Sequence, residues 1–132
     1  MATHLRTSAR TGMAQGIITD AGAGAKLKVY NGTRPAALDA VSGGNTLLAT
    51  ITFGATIGTA TSGAIDWDEA GATQNNASHV SVTPTFADIT TSADAVVARL
   101  DLGSGSWTMT GTVATGQNVT LSTLSWVMPH TI

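Results

Sequence analysis

The spacing of hydrophobic and polar residues predicts a series of short β-strands, and the clearest of them lies early in the chain. Between residues 26 and 30, Leu27 and Val29 alternate with two lysines. Alternation with a period of two is typical of a half-buried strand. Asn31-Gly32 ends this strand because both residue types tolerate positive φ. Pro35 then fixes φ and removes a backbone donor, so we expect a turn before the next strand.

The same alternation predicts one strand after this turn and three strands in the last third of the chain. Residues 47–53 alternate after a polar, glycine-rich connection, and residues 96–102 and 107–113 alternate on either side of a Gly-Ser loop. The last strand, residues 119–128, changes the parity of its apolar residues near Ser122-Thr123. We expect a β-bulge at that point, because a bulge re-aims the side chains of a strand.

Weaker patterns fill the middle of the chain. Residues 56–60, 63–67 and 79–83 are weak strand candidates, residues 86–91 are irregular or a short strand, and residues 74–76 continue a polar loop. Seven or eight short strands, separated by turns at intervals of about 8–12 residues, are typical of an antiparallel β-sandwich or jelly roll. We therefore predict a mainly β fold of that kind, as a single domain over residues 26–132.

A helix is predicted before the first strand, over residues 3–20, with Thr3 as a possible N-cap. Its apolar stripe follows i+4 spacing through Leu5, Ala9, Met13 and Ile17. Two glycines weaken it by roughly 1 kcal/mol each relative to alanine, so it must dock on something. Docking on the chain's own sheet is favoured, and an arm that grips another subunit is the alternative. Residues 1–25 are thus a helix or arm with a Gly-Ala linker.

Composition narrows the classes of function. Only 11% of the 132 residues are charged, the formal net charge is −2, and there is no cysteine. These values exclude disulfides and thiolate metal sites, and they give no basic field for nucleic acid or an anionic membrane. No apolar run approaches the ~20 residues of a membrane span, and no signal peptide is predicted, so we expect synthesis in the cytoplasm. Low charge suits a surface partly covered by neighbouring subunits or simply a weakly charged domain.

Few residues offer candidate chemistry. The acidic run of Asp66, Asp68 and Glu69 resembles the start of a calcium loop, but it lacks the later ligands of an EF-hand, so a solvated loop is favoured. Trp67 within this run is expected to pack on the core or on a partner. The histidines are isolated, without metal-ligand spacing, at His4, His79 and His130. We assign no catalytic residue, no cofactor and no metal, and we expect a protein that is not an enzyme.

Three segments carry a resemblance to a known class of proteins. Residues 25–36 read Ala-Lys-Leu-Lys-Val-Tyr-Asn-Gly-Thr-Arg-Pro-Ala, Leu47-Leu48-Ala49 follows, and residues 116–120 read Gly-Gln-Asn-Val-Thr. Together they resemble small virion proteins of tailed bacteriophages, which share an N-terminal helix, a strand and turn of this type, and a Gly-Gln-x-Val-Thr strand near the C-terminus. The resemblance implies a structural part of a phage particle.

Within that class we expect a capsid decoration, or cement, protein on the outer surface of the virion. It would bind the major capsid protein, as a trimer where capsomers meet. Candidate contact residues, chosen by position, are Leu5, Arg6, Arg10, Met13, Trp67, Asp68, Glu69, Met128, His130 and Ile132. A minor tail, neck or fibre-associated protein is the first alternative. A carbohydrate-binding module or small glycosidase is the second, although the chain has few aromatic residues for a sugar-binding face.

Overall fold

A computed structural model describes residues 4–36, 45–68, 73–74, 85–101, 107–110 and 123–128. Over these residues the chain is mainly β, with two antiparallel sheets and one helix, as predicted. The elements are α1 (Thr7–Ala21), β1 (Lys26–Tyr30), β2 (Leu47–Thr52), β3 (Gly58–Thr61), β4 (Ala64–Trp67), β5 (Thr73–Gln74), β6 (Phe86–Thr90), β7 (Val96–Asp101), β8 (Trp107–Thr110) and β9 (Thr123–Val127). The five-stranded sheet has the order β5-β2-β1-β6-β7, and the four-stranded sheet has the order β3-β4-β9-β8.

Strand β1 lies at the centre of the five-stranded sheet. It pairs with β2 on one side and β6 on the other, so that Leu27 lies opposite both Ile51 and Ile89. These three side chains and Val29 are fully buried. The predicted alternation of β1 is therefore correct, and it leaves Lys26, Lys28 and Tyr30 on the opposite face.

Two asparagines fix the turn that follows β1. The Asn45 side-chain amide donates to the carbonyl oxygens of Asn31, at 3.2 Å, and Thr33, at 2.8 Å. In return, the Asn31 side-chain oxygen accepts from the backbone N–H of Thr46 at 3.0 Å. Gly32 takes the positive φ of 85° that the Asn-Gly pair predicted. The contacts close the long β1–β2 connection at its base and hold the register of the two strands.

Helix α1 packs on its own chain, against β3, β4 and β7, which is the favoured of the two alternatives. It begins at Thr7, with Arg6 at the N-cap position and no side-chain cap. The predicted apolar stripe is wrong for Ala9 and Met13, which are exposed. The buried face instead comprises Arg10, Ala14 and Ala21, with Ile17 and Ile18 partly buried.

The β3–β4 hairpin explains why this face of the helix is buried. Ser62 and Gly63 both have positive φ, 52° and 80°, as in the tight turns that suit paired strands. The Gly63 N–H donates to the Thr11 hydroxyl at 2.8 Å. A side chain on Gly63 would meet the Arg10 side chain at 3.0–3.1 Å, so the apolar stem of Arg10 is covered by the hairpin.

The buried cluster draws on the helix and on both sheets. Phe53, just after β2, stacks on Trp67 at the end of β4, with ring centroids 5.5 Å apart and an interplanar angle of 29°. Met128 is also buried, and its N–H donates to the Gly63 carbonyl at 2.8 Å. Trp67 therefore packs on the core, the first of its two predicted locations.

The weaker strand predictions in the middle of the chain are partly confirmed. The candidates at 56–60 and 63–67 correspond to β3 and β4. Residues 86–91, predicted to be irregular or a short strand, contain the short strand β6, whose five residues are all buried between β1 and β7. Gln74, predicted to continue a polar loop, belongs instead to the two-residue strand β5 (Thr73–Gln74). The predicted strand at 79–83 and the resemblance at 116–120 lie outside the described residues.

Candidate functional site

A polar cleft lies on the face of the five-stranded sheet opposite the core. The register places Lys28 beside Asp88, and Asp88 beside Arg99, on neighbouring strands β1, β6 and β7. The cleft has a volume of about 280 Å³ and is lined by Lys28, Tyr30, Asp88, Thr90, Asp94, Val96 and Arg99. We refer to it as the β1–β7 cleft.

A buried ion pair forms the floor of this cleft. The Arg99 guanidinium donates from Nε to Asp88 Oδ1 at 2.6 Å, and from a terminal nitrogen to Asp88 Oδ2 at 2.9 Å. The two side chains are only 1% and 2% exposed. The guanidinium carbon also lies 5.6 Å from the centre of the Phe86 ring, within the range of a cation–π contact. Both Asp88 oxygens are thus engaged by Arg99.

Tyr30 forms one wall of the cleft. Its ring stacks on Phe86 with centroids 5.1 Å apart and an interplanar angle of 12°. Burial, with a smaller contribution from the Asp88 carboxylate, raises the pKa of the Tyr30 phenol. The hydroxyl lines the cleft without a hydrogen-bond partner among the residues that the structure describes. It is therefore a protonated donor at neutral pH.

The β6–β7 turn supplies Asp94 at the rim. Its φ is 69°, a conformation that aspartate tolerates better than most residues. In this position Asp94 Oδ1 accepts from Lys26 Nζ at 3.0 Å and from Lys28 Nζ at 2.8 Å. Hydrogen bonds from Lys28 and Lys26 lower the pKa of Asp94. Two ammonium groups thus share one exposed carboxylate.

The cleft offers charged and hydrogen-bonding side chains to a ligand. Asp88 is held by Arg99 on both oxygens, so it is not positioned to act as a general base. Within the described ranges, no group of three His, Cys, Asp or Glu side chains could hold a metal ion. The remaining donors, the Lys28 ammonium and the Tyr30 hydroxyl, favour an acceptor of hydrogen bonds.

Three of the predicted contact residues are interior rather than surface residues. Arg10, Trp67 and Met128 are buried within the chain, so their choice as partner contacts is corrected. Arg10 and Met128 do come together, at Gly63, but as interior packing. Leu5 and Asp68 are half-buried, whereas Arg6 and Met13 are exposed. Glu69, His130 and Ile132 lie outside the described residues.

The residues of the cleft were not among the predicted contacts, although the sequence carries a signal for two of them. Asp88 is the one charged residue in the run Phe86-Ala-Asp-Ile-Thr, and Arg99 is the one basic residue in the strand at 96–102. A lone charge in an apolar strand, matched by the opposite charge in the next strand, indicates a cross-strand pair. Recognising that signal requires the 86–91 segment to be identified as a strand.

Comparisons with protein-family models, with curated proteins and with solved structures gave no match. The resemblance to phage virion proteins therefore rests on the segments quoted from the sequence. In the part of the chain that the structure describes, no helix has the length and apolar character needed to cross a membrane.

Proposed function

We propose that the chain is a structural protein of a tailed-phage virion, and specifically a capsid decoration protein. The supporting observation is that two of the segments bearing the resemblance are structurally linked. Residues 26–30 form β1, Leu47-Leu48-Ala49 belong to β2, and the two strands pair. The asparagine contacts hold the turn between them, so the shared sequence corresponds to one supersecondary unit.

We also propose that the two sheets pack as a β-sandwich of the jelly-roll type. In support, Phe53, which directly follows β2 of the five-stranded sheet, stacks on Trp67 of the four-stranded sheet. The buried cluster includes Leu27 and Ile51 from the first sheet and Ile65 from the second. A double-layered β unit of this kind offers broad, rigid outer surfaces.

As a decoration protein, the chain would bind the major capsid protein on the outer surface of the shell, as a trimer. It would stabilise the shell by burying surface across the boundaries between shell subunits. Separation of the shell subunits would then also expose this buried surface to water, at a free-energy cost of about 25 cal/mol per Å² of apolar surface. A surface with few charges favours this role, because the desolvation of unpaired charges opposes association.

The number of copies in purified particles tests this proposal. Quantitative mass spectrometry with an isotope-labelled tryptic peptide, residues 11–26, would measure the chain relative to the major shell protein. We expect a copy number comparable to that of the shell protein. A few copies per particle would instead place the chain in the tail, neck or fibres, and its absence from particles would refute a virion role.

A further inference from the structure

We propose that the β1–β7 cleft receives one carboxylate, between Lys28 and Tyr30, from an aspartate or glutamate side chain of a neighbouring shell subunit. The inference rests on the proposed function for the source of the carboxylate. The chemistry of the cleft itself depends only on the contacts described above.

Among the described residues, the charged groups around the cleft carry one net positive charge. Lys26 and Lys28 both contact the same oxygen of Asp94, so two ammonium groups share one carboxylate. The Asp88 carboxylate provides no compensation, because both of its oxygens are bound by Arg99. A single negative charge would therefore balance the lysine pair.

Two groups that line the cleft, the Lys28 ammonium and the Tyr30 hydroxyl, can donate hydrogen bonds to a ligand. An ammonium group has three N–H donors, and Asp94 is the one carboxylate within ion-pair distance of Lys28 among the described residues. The Tyr30 hydroxyl has no hydrogen-bond partner within those residues. Because Lys28 and Tyr30 are two residues apart on β1, they lie on the same side of the strand. An acceptor placed between them can bind both.

A carboxylate fits these donors better than other ligands. The Lys28 ammonium would repel a divalent cation, and a phosphate dianion would carry more negative charge than the one positive charge in excess. The side chain of Lys28 is 20% exposed, so a side chain inserted from outside can reach it. A volume of about 280 Å³ accommodates the end of one acidic side chain.

The test uses particles assembled without this chain and the purified full-length protein. Binding would be measured for the wild type and for Lys28→Gln, Tyr30→Phe and Lys28→Arg. Lys26→Gln is the matched control, because it removes the same charge and the same contact to Asp94 from a residue outside the lining of the cleft. Urea unfolding of each variant would separate lost binding from lost folding.

We expect Lys28→Gln to weaken binding at least tenfold, Tyr30→Phe to weaken it several-fold, and Lys26→Gln to change it less than twofold. Lys28→Arg should retain most of the binding. A zero-length carbodiimide should cross-link Lys28 of the wild type to an aspartate or glutamate of the shell subunit. That cross-link should disappear in Lys28→Arg, which lacks the amine.

Equal effects of Lys28→Gln and Lys26→Gln, or a cross-link from Lys26 alone, would overturn the inference and leave the proposed function intact. Failure of the wild type to bind particles would contradict the proposed function instead. In that case, the purified protein would be titrated with sodium acetate and followed by NMR, with sodium chloride as the control for ionic strength. This titration tests whether the cleft binds a carboxylate. Saturable shifts at Lys28 and Tyr30 that Lys28→Gln abolishes would support a carboxylate site, and their absence would overturn it.

Discussion

The buried pair of Asp88 and Arg99 gives the sharpest prediction about stability. Replacement of Arg99 by methionine keeps an apolar stem but leaves the Asp88 carboxylate, 2% exposed, without its two guanidinium hydrogen bonds. Removal of one partner from a buried pair costs about 3–5 kcal/mol, because the remaining charge is desolvated and uncompensated. Loss of the contact to Phe86 adds roughly 0.5–1 kcal/mol.

The chain contains its own control for this effect. Arg34 and Asp101 form the same type of pair at 2.7 Å, but their side chains are 40% and 47% exposed. Exposed pairs contribute about 0–1 kcal/mol, because water and salt screen them. Arg34→Met should therefore lower the free energy of unfolding by no more than about 1 kcal/mol. The N···O distance of the exposed pair nearly equals the 2.6 Å of the buried pair, so distance alone would not predict the difference.

Urea unfolding, followed by tryptophan fluorescence and circular dichroism, measures both variants. In a thermal unfolding experiment on a chain of this size, the same loss of 3–5 kcal/mol would lower the melting temperature by roughly 10–20 °C. The double variant Asp88→Leu/Arg99→Met should recover part of the loss, because neither charge is then buried alone. The reasoning is refuted if Arg99→Met costs no more than Arg34→Met, or if the two substitutions in the double variant simply add.

Three further predictions follow from single positions. Gly58→Ala should lower the free energy of unfolding by about 1–3 kcal/mol in urea titrations, because a methyl group there would lie 2.6 Å from the Asp66 carbonyl oxygen. Gly63→Ala should cost about 1–2 kcal/mol in the same assay, because its φ of 80° is left-handed and Arg10 fills the space beside it. The ultraviolet absorbance of tyrosinate, which reports Tyr30 alone since the chain has one tyrosine, should titrate above the ordinary value of 10.0.

Each of these has a control. Gly12 is an exposed helical glycine with nothing within 4 Å of the added methyl group, so Gly12→Ala should stabilise the protein by up to about 1 kcal/mol. A stabilising Gly58→Ala would contradict the close approach of β3 and β4. In urea, the Tyr30 midpoint should return to about 10.

The raised pKa of Tyr30 also has a consequence for stability. Because the folded state holds the phenolic proton to a higher pH than the unfolded chain, its contribution is complete below about pH 10 and is lost as the pH rises through the raised pKa. Tyr30→Phe should remove that part of the alkaline decline. An unchanged decline in Tyr30→Phe would show that other groups cause it.

The sequence predicted strands best where apolar and polar residues alternate without interruption along the strand. β1 and its Asn-Gly turn were correct because Leu27 and Val29 face one core and the turn chemistry is specific. β6 was predicted only as one of two alternatives, an irregular segment or a short strand, since a strand buried on both faces shows no alternation of apolar and polar residues. Its five buried residues include an aspartate whose burial depends on Arg99, eleven positions later.

The helix illustrates a different limit. Its existence was predicted, but its buried face was assigned from hydrophobicity, which favoured Met13. The structure buries Arg10 and Ala14 instead, because a small residue permits close approach to the hairpin and the long arginine stem packs under Gly63. Ala14, Ile17, Ile18 and Ala21 do follow the i, i+3, i+4, i+7 spacing of a buried helix face. The burial of Arg10 on the same face depends on contact with the distant hairpin, which the local spacing does not encode.

The distribution of charge links the fold to the proposed role. The chain has six basic and eight acidic residues. In the part that the structure describes, seven of them form ion pairs on or beside β1, β6 and β7, namely Lys26, Lys28, Arg34, Asp88, Asp94, Arg99 and Asp101. A partner that docks on a surface with few charges buries area at little desolvation cost. Such a surface does little to fix the orientation of the partner. Concentrated charges supply orientation, because complementary groups fix register more than they add affinity. In the proposed role, the cleft at Lys28 and Tyr30 is therefore the place where one acidic side chain of a shell subunit would fix the orientation of this protein.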